Sequence, residues 1–205
     1  MSKLEVRAAA VLCDMDGTLI DSTAVVELLW GRFCDEHDVA VDELLAFAHG
    51  RPTRQTLVEF LPTSSDHERE AIALELDRRE LDTLDGIVEI PGARALLGSL
   101  AVPWAVVTSA PRELALRRMG AAGLPLPEVL VPADEIEHGK PDPSGYLQAA
   151  ARLGVDISDC VVLEDAEPGV RAGLAAGARV VVVGPLDRPG TDRVPDLTFL
   201  DLRPV

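Results

Sequence analysis

An α/β fold is predicted, a parallel sheet with helices on both faces and a helical domain inserted near its start. Three observations predict it. The apolar run Ala8–Cys13 is continuous, as in a central strand buried on both faces. From Pro91 onward short apolar runs alternate with helical patterns. Between these regions, residues 22 to 85 hold no apolar run and carry Glu, Asp, Leu and Ala at helical spacing.

The elements follow in order. Ala8–Cys13 is the first strand. Ser22 is placed to cap a helix running to about residue 36. Val41–Ala48, Thr53–Phe60 and Asp66–Leu84 read as further helices, separated by Gly50-Arg51-Pro52 and Leu61-Pro62. Gly92–Leu100 is a helix and Trp104–Thr108 a strand. Pro111–Met119 is a helix with proline in its first turn. Val129–Val131, Cys160–Leu163 and Arg179–Val183 are strands, with helices Ser144–Leu153 and Pro168–Ala176 between them. Leu197–Leu200 is a weaker last strand. The domain boundaries expected are 1–20 with 87–205 for the sheet and 21–86 for the helical cap.

Composition narrows the function. A chain of 205 residues can bury about 70% of the surface its unfolded form exposes, so it needs no disulfide or zinc staple. The 19 basic and 35 acidic residues leave a net charge of −16, and there is no basic run. Nucleic acid and anionic membrane are therefore poor partners. Disorder is excluded by 47% hydrophobic residues against 26% charged. Cys13, Cys34 and Cys160 are odd in number and widely spaced, which suits a reduced, cytoplasmic protein. The six-residue apolar run at the start is too short for a signal or a span. A monomer is the default expectation. The chain has 17 arginines but two lysines, Lys3 in a tail and Lys140 in the body.

Ligands of such sheets bind at the carboxyl ends of the strands, and there the chemistry-bearing residues collect. The first strand ends in Asp14-Met15-Asp16-Gly17-Thr18. If the segment is extended, Asp14 and Asp16 share one side, and two carboxylates ~4 Å apart repel by roughly 4 kcal/mol. A hard cation such as Mg²⁺ relieves that repulsion. Later strands end in Thr108-Ser109 and Glu164-Asp165, and a loop brings Lys140 in Gly139-Lys140-Pro141-Asp142-Pro143. Hydroxyls and an ammonium suit a phosphoryl group, and the carboxylates suit a metal. Taken singly, each has an ordinary structural use as a turn, a helix cap or a surface charge.

In order, Asp14-Met15-Asp16-Gly17-Thr18, Thr108-Ser109, Lys140 and Glu164-Asp165 resemble the four motifs of the haloacid dehalogenase superfamily. The resemblance covers nearly the whole chain and includes a helical cap inserted directly after the first motif, the position used by the beta-phosphoglucomutase-like subgroup. Further text, including His49-Gly50-Arg51-Pro52-Thr53 and Ile90-Pro91-Gly92-Ala93, resembles bacterial hexose-phosphate phosphatases and fungal glycerol-3-phosphate and 2-deoxyglucose-6-phosphate phosphatases. The resemblance implies a Rossmann-like core, a helical-bundle cap and Mg²⁺-dependent hydrolysis of small sugar phosphates. It makes Asp14 the nucleophile that forms an aspartyl-phosphate. It makes Asp16 the general acid and base. Thr108 and Lys140 stabilise the transferring group and Ser109 contacts it. Asp14, Asp165 and the carbonyl of Asp16 bind the metal, while Glu164 holds a metal-bound water.

The cap sets the leaving group. Residues 22 to 86 hold 15 acids and six arginines, yet Leu44–Val58 has no acid and carries His49, Arg51 and Arg54. These three are candidate substrate contacts, although arginines in so acidic a domain also find acidic partners. Residues 19–21 and 84–88 cross between cap and core and are candidate hinges. Trp30 and Phe33 read as cap core. The cap has no lysine and Asp16 is present, which disfavours a phosphonate hydrolase or a true dehalogenase. The alternatives kept are a glycerol-3-phosphatase, a beta-phosphoglucomutase-type mutase, and a catalytically idle ligand sensor on the same fold.

Overall fold

The computed structural model describes residues 3–48 and 51–205. The first strands are β1 (Leu4–Arg7), β2 (Ala10–Cys13) and β3 (Ile20–Asp21). Four helices follow: α1 (Thr23–His37), α2 (Val41–Ala48), α3 (Thr53–Phe60) and α4 (Asp66–Asp82). The alternating part comprises β4 (Val88–Glu89), α5 (Ala93–Ser99), β5 (Trp104–Val107), α6 (Arg112–Ala121), β6 (Val129–Val131), α7 (Ser144–Leu153), β7 (Cys160–Glu164), α8 (Glu167–Ala176), β8 (Arg179–Val183), β9 (Asp192–Val194) and β10 (Leu200–Arg203).

Six strands form one parallel sheet in the order β6-β5-β2-β7-β8-β9. Each of β2, β5, β7 and β8 is almost wholly buried, because the helices that connect parallel strands cover both faces. The core around them is aliphatic and small, with Leu12, Val107, Val131, Val162 and Val182 packed against Ala149, Ala150 and Ala172. Alanines on the helix faces let helix and sheet approach closely. β2 pairs with β5 on one side and β7 on the other. Strand order departs from chain order there, and at such a switch point ligands of parallel sheets bind outside the carboxyl ends of the strands.

The chain folds as two compact units, Ser22–Ile87 and the remainder. Within Ser22–Ile87 the helices bury Trp30, Phe33, Leu44, Leu57 and Leu76 together. Trp30 and Phe33 meet edge to face at 5.3 Å, as core aromatics do. Ser22 stands at the α1 N-cap but its side chain makes no capping hydrogen bond. The capping box is at α4 instead, where Ser65 Oγ accepts from the Glu68 N–H and Glu68 accepts from the Ser65 N–H.

Several features depart from the sequence reading: the first central strand begins at Ala10 and α4 ends at Asp82, while the antiparallel pair β3–β4 and the edge strand β9 were not predicted. β1 pairs in parallel with β10, in a separate two-stranded sheet. β10 starts at Leu200, after a 3₁₀ turn over Leu197–Phe199, rather than ending there. Pro111 is the N-cap of α6, one residue before the helix begins.

Candidate active site

The loop after β2 is closed by its own backbone. The N–H groups of Thr18, Leu19 and Ile20 all return to the Met15 carbonyl, at 3.3, 2.8 and 3.0 Å, and Gly17 N–H donates to the Ile20 carbonyl at 2.7 Å. Asp14 N–H donates to Leu163 O at 2.9 Å, which carries the β2–β7 pairing one residue past the strand. Gly17 has φ +86°, and a Cβ there would collide with the Asp165 carboxylate. Only glycine lets this turn press against the tip of β7. Thr18 Oγ1 then donates to Asp165 Oδ1 at 3.2 Å.

Asp14 is 7% exposed. Lys140 Nζ donates to Asp14 Oδ1, to Glu164 Oε1 at 2.6 Å and to Val107 O at 3.2 Å. An ammonium has three N–H donors, so all three are engaged by protein. Glu164 is buried and fully served. Its Oε1 also accepts from the Tyr146 hydroxyl at 2.7 Å, and its Oε2 accepts from the N–H groups of Asp165 and Ala166 at 3.1 and 3.4 Å. Its carboxylate has room because α8 carries Gly169, where a Cβ would overlap Oε1.

Carboxylate oxygens of Asp14, Glu164 and Asp165 lie within 4.8 Å of one another. Burial pushes the Asp14 carboxyl up; Lys140 opposes this, and Glu164 and Asp165 add to it. Burial, with Glu164 next, pushes Asp165 up to about 7. Burial works against the Lys140 charge, but Asp14 and Glu164 outweigh it and hold the ammonium well above its ordinary range. Acids crowded at such a cost fit a hard divalent cation, and an all-oxygen donor set suits Mg²⁺. Because Glu164 is committed to four protein donors, Asp14 and Asp165 are the acids placed to ligate directly.

The remaining expected residues divide. Thr108 is buried, and its Oγ1 accepts from the Ala110 N–H at 3.0 Å. That leaves the hydroxyl hydrogen to donate elsewhere. Ser109 is exposed at the same strand end. Asp16 does not join the acidic cluster: β2 stops at Cys13, so strand alternation does not align it with Asp14. Its Oδ1 accepts from Arg118 Nη1 at 3.0 Å. In the helical unit, Arg54 holds Glu70 with two nitrogens at 3.0 and 2.9 Å and Asp77 with the third at 3.3 Å. That accounts for its guanidinium within its own unit. Arg51 lies over the Phe47 ring, 4.2 Å from its centroid. His49 lies outside the described residues.

Sequence reasoning missed Arg118, Tyr146 and the contact made by Thr18. Arg118 carries one signal, a charge on the apolar face of α6 beside Leu114, Ala115 and Met119. Tyr146 carries another, the only tyrosine of the chain, fully buried on α7.

The family model described as haloacid dehalogenase-like hydrolase matches residues 8–177. The chain belongs to that family. It is 41% identical to Hexitol phosphatase A of Escherichia coli (strain K12), covering 97% of this chain and 94% of that protein. It is 34% identical to 2-deoxyglucose-6-phosphate phosphatase 1 of Saccharomyces cerevisiae, covering 86% and 80%. A crystal structure of beta-phosphoglucomutase from Clostridium difficile superposes with a TM-score of 0.84 at 20% identity, covering 95% of this chain and 93% of that one, a likeness of fold. Within its family the chain stands with phosphoric monoester hydrolases.

Proposed function

We propose that this protein is a Mg²⁺-dependent phosphatase of small sugar phosphates, hexose phosphates or similar esters. The observation that carries this reading is a buried carboxylate, Asp14, at the carboxyl end of the central strand, held by Lys140 beside Asp165. A carboxylate fixed in that way is a nucleophile with its charge offset. Asp14 attacks phosphorus, the bond to the sugar oxygen breaks, and an aspartyl-phosphate forms. Asp16 gives its proton to the leaving oxygen and then takes one from the attacking water. The Lys140 ammonium orients Asp14 and lowers the charge the substrate meets. Thr108 offers its hydroxyl hydrogen to a phosphoryl oxygen, and Ser109 stands beside it. Asp14, Asp165 and the Asp16 carbonyl would hold Mg²⁺, which when bound offsets phosphoryl charge. The likeness to a hexitol phosphatase and a 2-deoxyglucose-6-phosphate phosphatase supports a sugar leaving group. Three cysteines without disulfides suit a cytoplasmic setting.

The test is phosphate release from a panel of esters, with Mg²⁺ and then with EDTA, ranked by kcat/KM. Hexose and hexitol phosphates should lead, and EDTA should stop turnover. Preference for glycerol phosphate would move the substrate class. A phosphosugar isomer in place of inorganic phosphate, made only with a bisphosphate present, would replace the reading with a mutase. No metal-dependent turnover on any ester would leave a sensor.

A further inference from the structure

Arg118 is 4% exposed on α6, among buried Leu114, Ala115 and Met119. An apolar residue would fill that place without the cost of desolvating a guanidinium. What the charge reaches is Asp16, 102 residues away in sequence, by Nη1 to Oδ1 at 3.0 Å. We propose that Arg118 is a positioning residue for Asp16, holding one carboxyl oxygen so that the other faces the reacting oxygen. The inference rests on the reading of Asp16 as the group that gives and takes the proton.

The chemistry assigns the two oxygens. A guanidinium has five N–H donors and no acceptor. The oxygen it touches, Oδ1, must therefore accept, which leaves Oδ2 for the proton transfers that the proposed mechanism assigns to Asp16. As the Asp14–phosphorus bond forms and the phosphorus–alkoxy bond breaks, the electron pair goes to the alkoxy oxygen. That oxygen takes the proton from Oδ2. In the second half-reaction water bonds to phosphorus, the Asp14–phosphorus bond breaks, and Oδ2 recovers a proton from the water. Arg118 gives up no proton in either step. It restricts rotation of the Asp16 carboxyl, so that Oδ2 stays in line for both transfers.

The leaving group distinguishes this role from structural support. A sugar alkoxide needs a proton as it departs, whereas p-nitrophenolate leaves without one. The measurement is kcat/KM, which reports the first phosphoryl transfer, on glucose 6-phosphate and on p-nitrophenyl phosphate. Wild type is compared with Arg118→Met and Asp16→Asn. General acid catalysis is worth roughly 10²–10⁴-fold. Asp16→Asn should lose about a hundredfold more on the sugar ester than on the aryl ester. Arg118→Met should show the same selectivity, at about tenfold or more. Equal losses on both esters in Arg118→Met, beside a selective loss in Asp16→Asn, would overturn the role of Arg118 alone. Equal losses in Asp16→Asn would overturn the reading of Asp16, and this inference with it. Should Arg118→Met not fold, Arg118→Gln carries the same comparison with the same two outcomes.

Discussion

Lys140 concentrates the residue-scale physics. It is the one lysine of the folded body, and its three donors are taken by Asp14, Glu164 and Val107 O. Arginine would not replace it, because a planar fork cannot place three hydrogen bonds around one nitrogen. Removing one electrostatic donor from an active site costs about 10²–10³ in kcat, and in the proposed mechanism the donor also orients Asp14. Lys140→Ala should therefore lower turnover by at least about a thousandfold. The protein should still melt cooperatively, at a lower temperature, because Asp14 and Glu164 lose their buried counter-charge. Steady-state rates and a thermal melt on the same sample check both statements. Normal kcat would remove Lys140 from the mechanism.

At the scale of elements, α8 and β7 meet through a glycine. Gly169 leaves space for the Glu164 carboxylate, since a Cβ would overlap both Oε1 and Cδ. Gly169→Ala should displace Glu164 and free its donors, Lys140 and the Tyr146 hydroxyl. A displaced buried hydrogen-bond partner costs about 1–3 kcal/mol. Urea denaturation should show a loss of at least that size with turnover reduced too, whereas Gly177→Ala, at a helix end with nothing nearby, should leave turnover intact. Element boundaries were legible at several other places in the chain. Val41–Ala48, Thr53–Phe60, Val129–Val131, Ser144–Leu153 and Arg179–Val183 have the bounds their patterns predict. Hydrophobic periodicity and proline breaks are local signals. β1 was not legible, because Leu4-Glu5-Val6-Arg7 is short and its partner β10 lies almost two hundred residues away.

The whole molecule is acidic, and its pH response turns on where the acids sit. Asp165 titrates near an ordinary aspartate, at 3.8, when unfolded and at about 7 when folded. Asp14 is raised as well. A raised folded value means that the native state binds protons more tightly. The stability contribution is full below pH 4 and is lost as pH rises through 7. Without metal, the melting temperature should therefore fall between pH 5 and pH 8. Mg²⁺ competes with those protons, so it should raise the melting temperature more at pH 8 than at pH 5. A thermal-shift series at the two pH values, with and without Mg²⁺, checks the sign. An equal Mg²⁺ shift at both would show that these acids do not form the metal site.

The alternating strands, the helical insert and the residues at strand ends were determined by the sequence, because periodicity and the placement of polar groups after apolar runs are written in neighbouring residues. The four motifs also identified the family before any contact was visible. Pairing partners were decided only by the tertiary structure. Asp16 turns to Arg118 rather than to Asp14, Glu164 is engaged by Lys140 and Tyr146, and Arg54 is held by Glu70 and Asp77. A charge in a sequence specifies what it needs, an opposite charge or a donor. Which of the 35 acids or 19 bases meets that need depends on the register of strands and helices far apart in the chain.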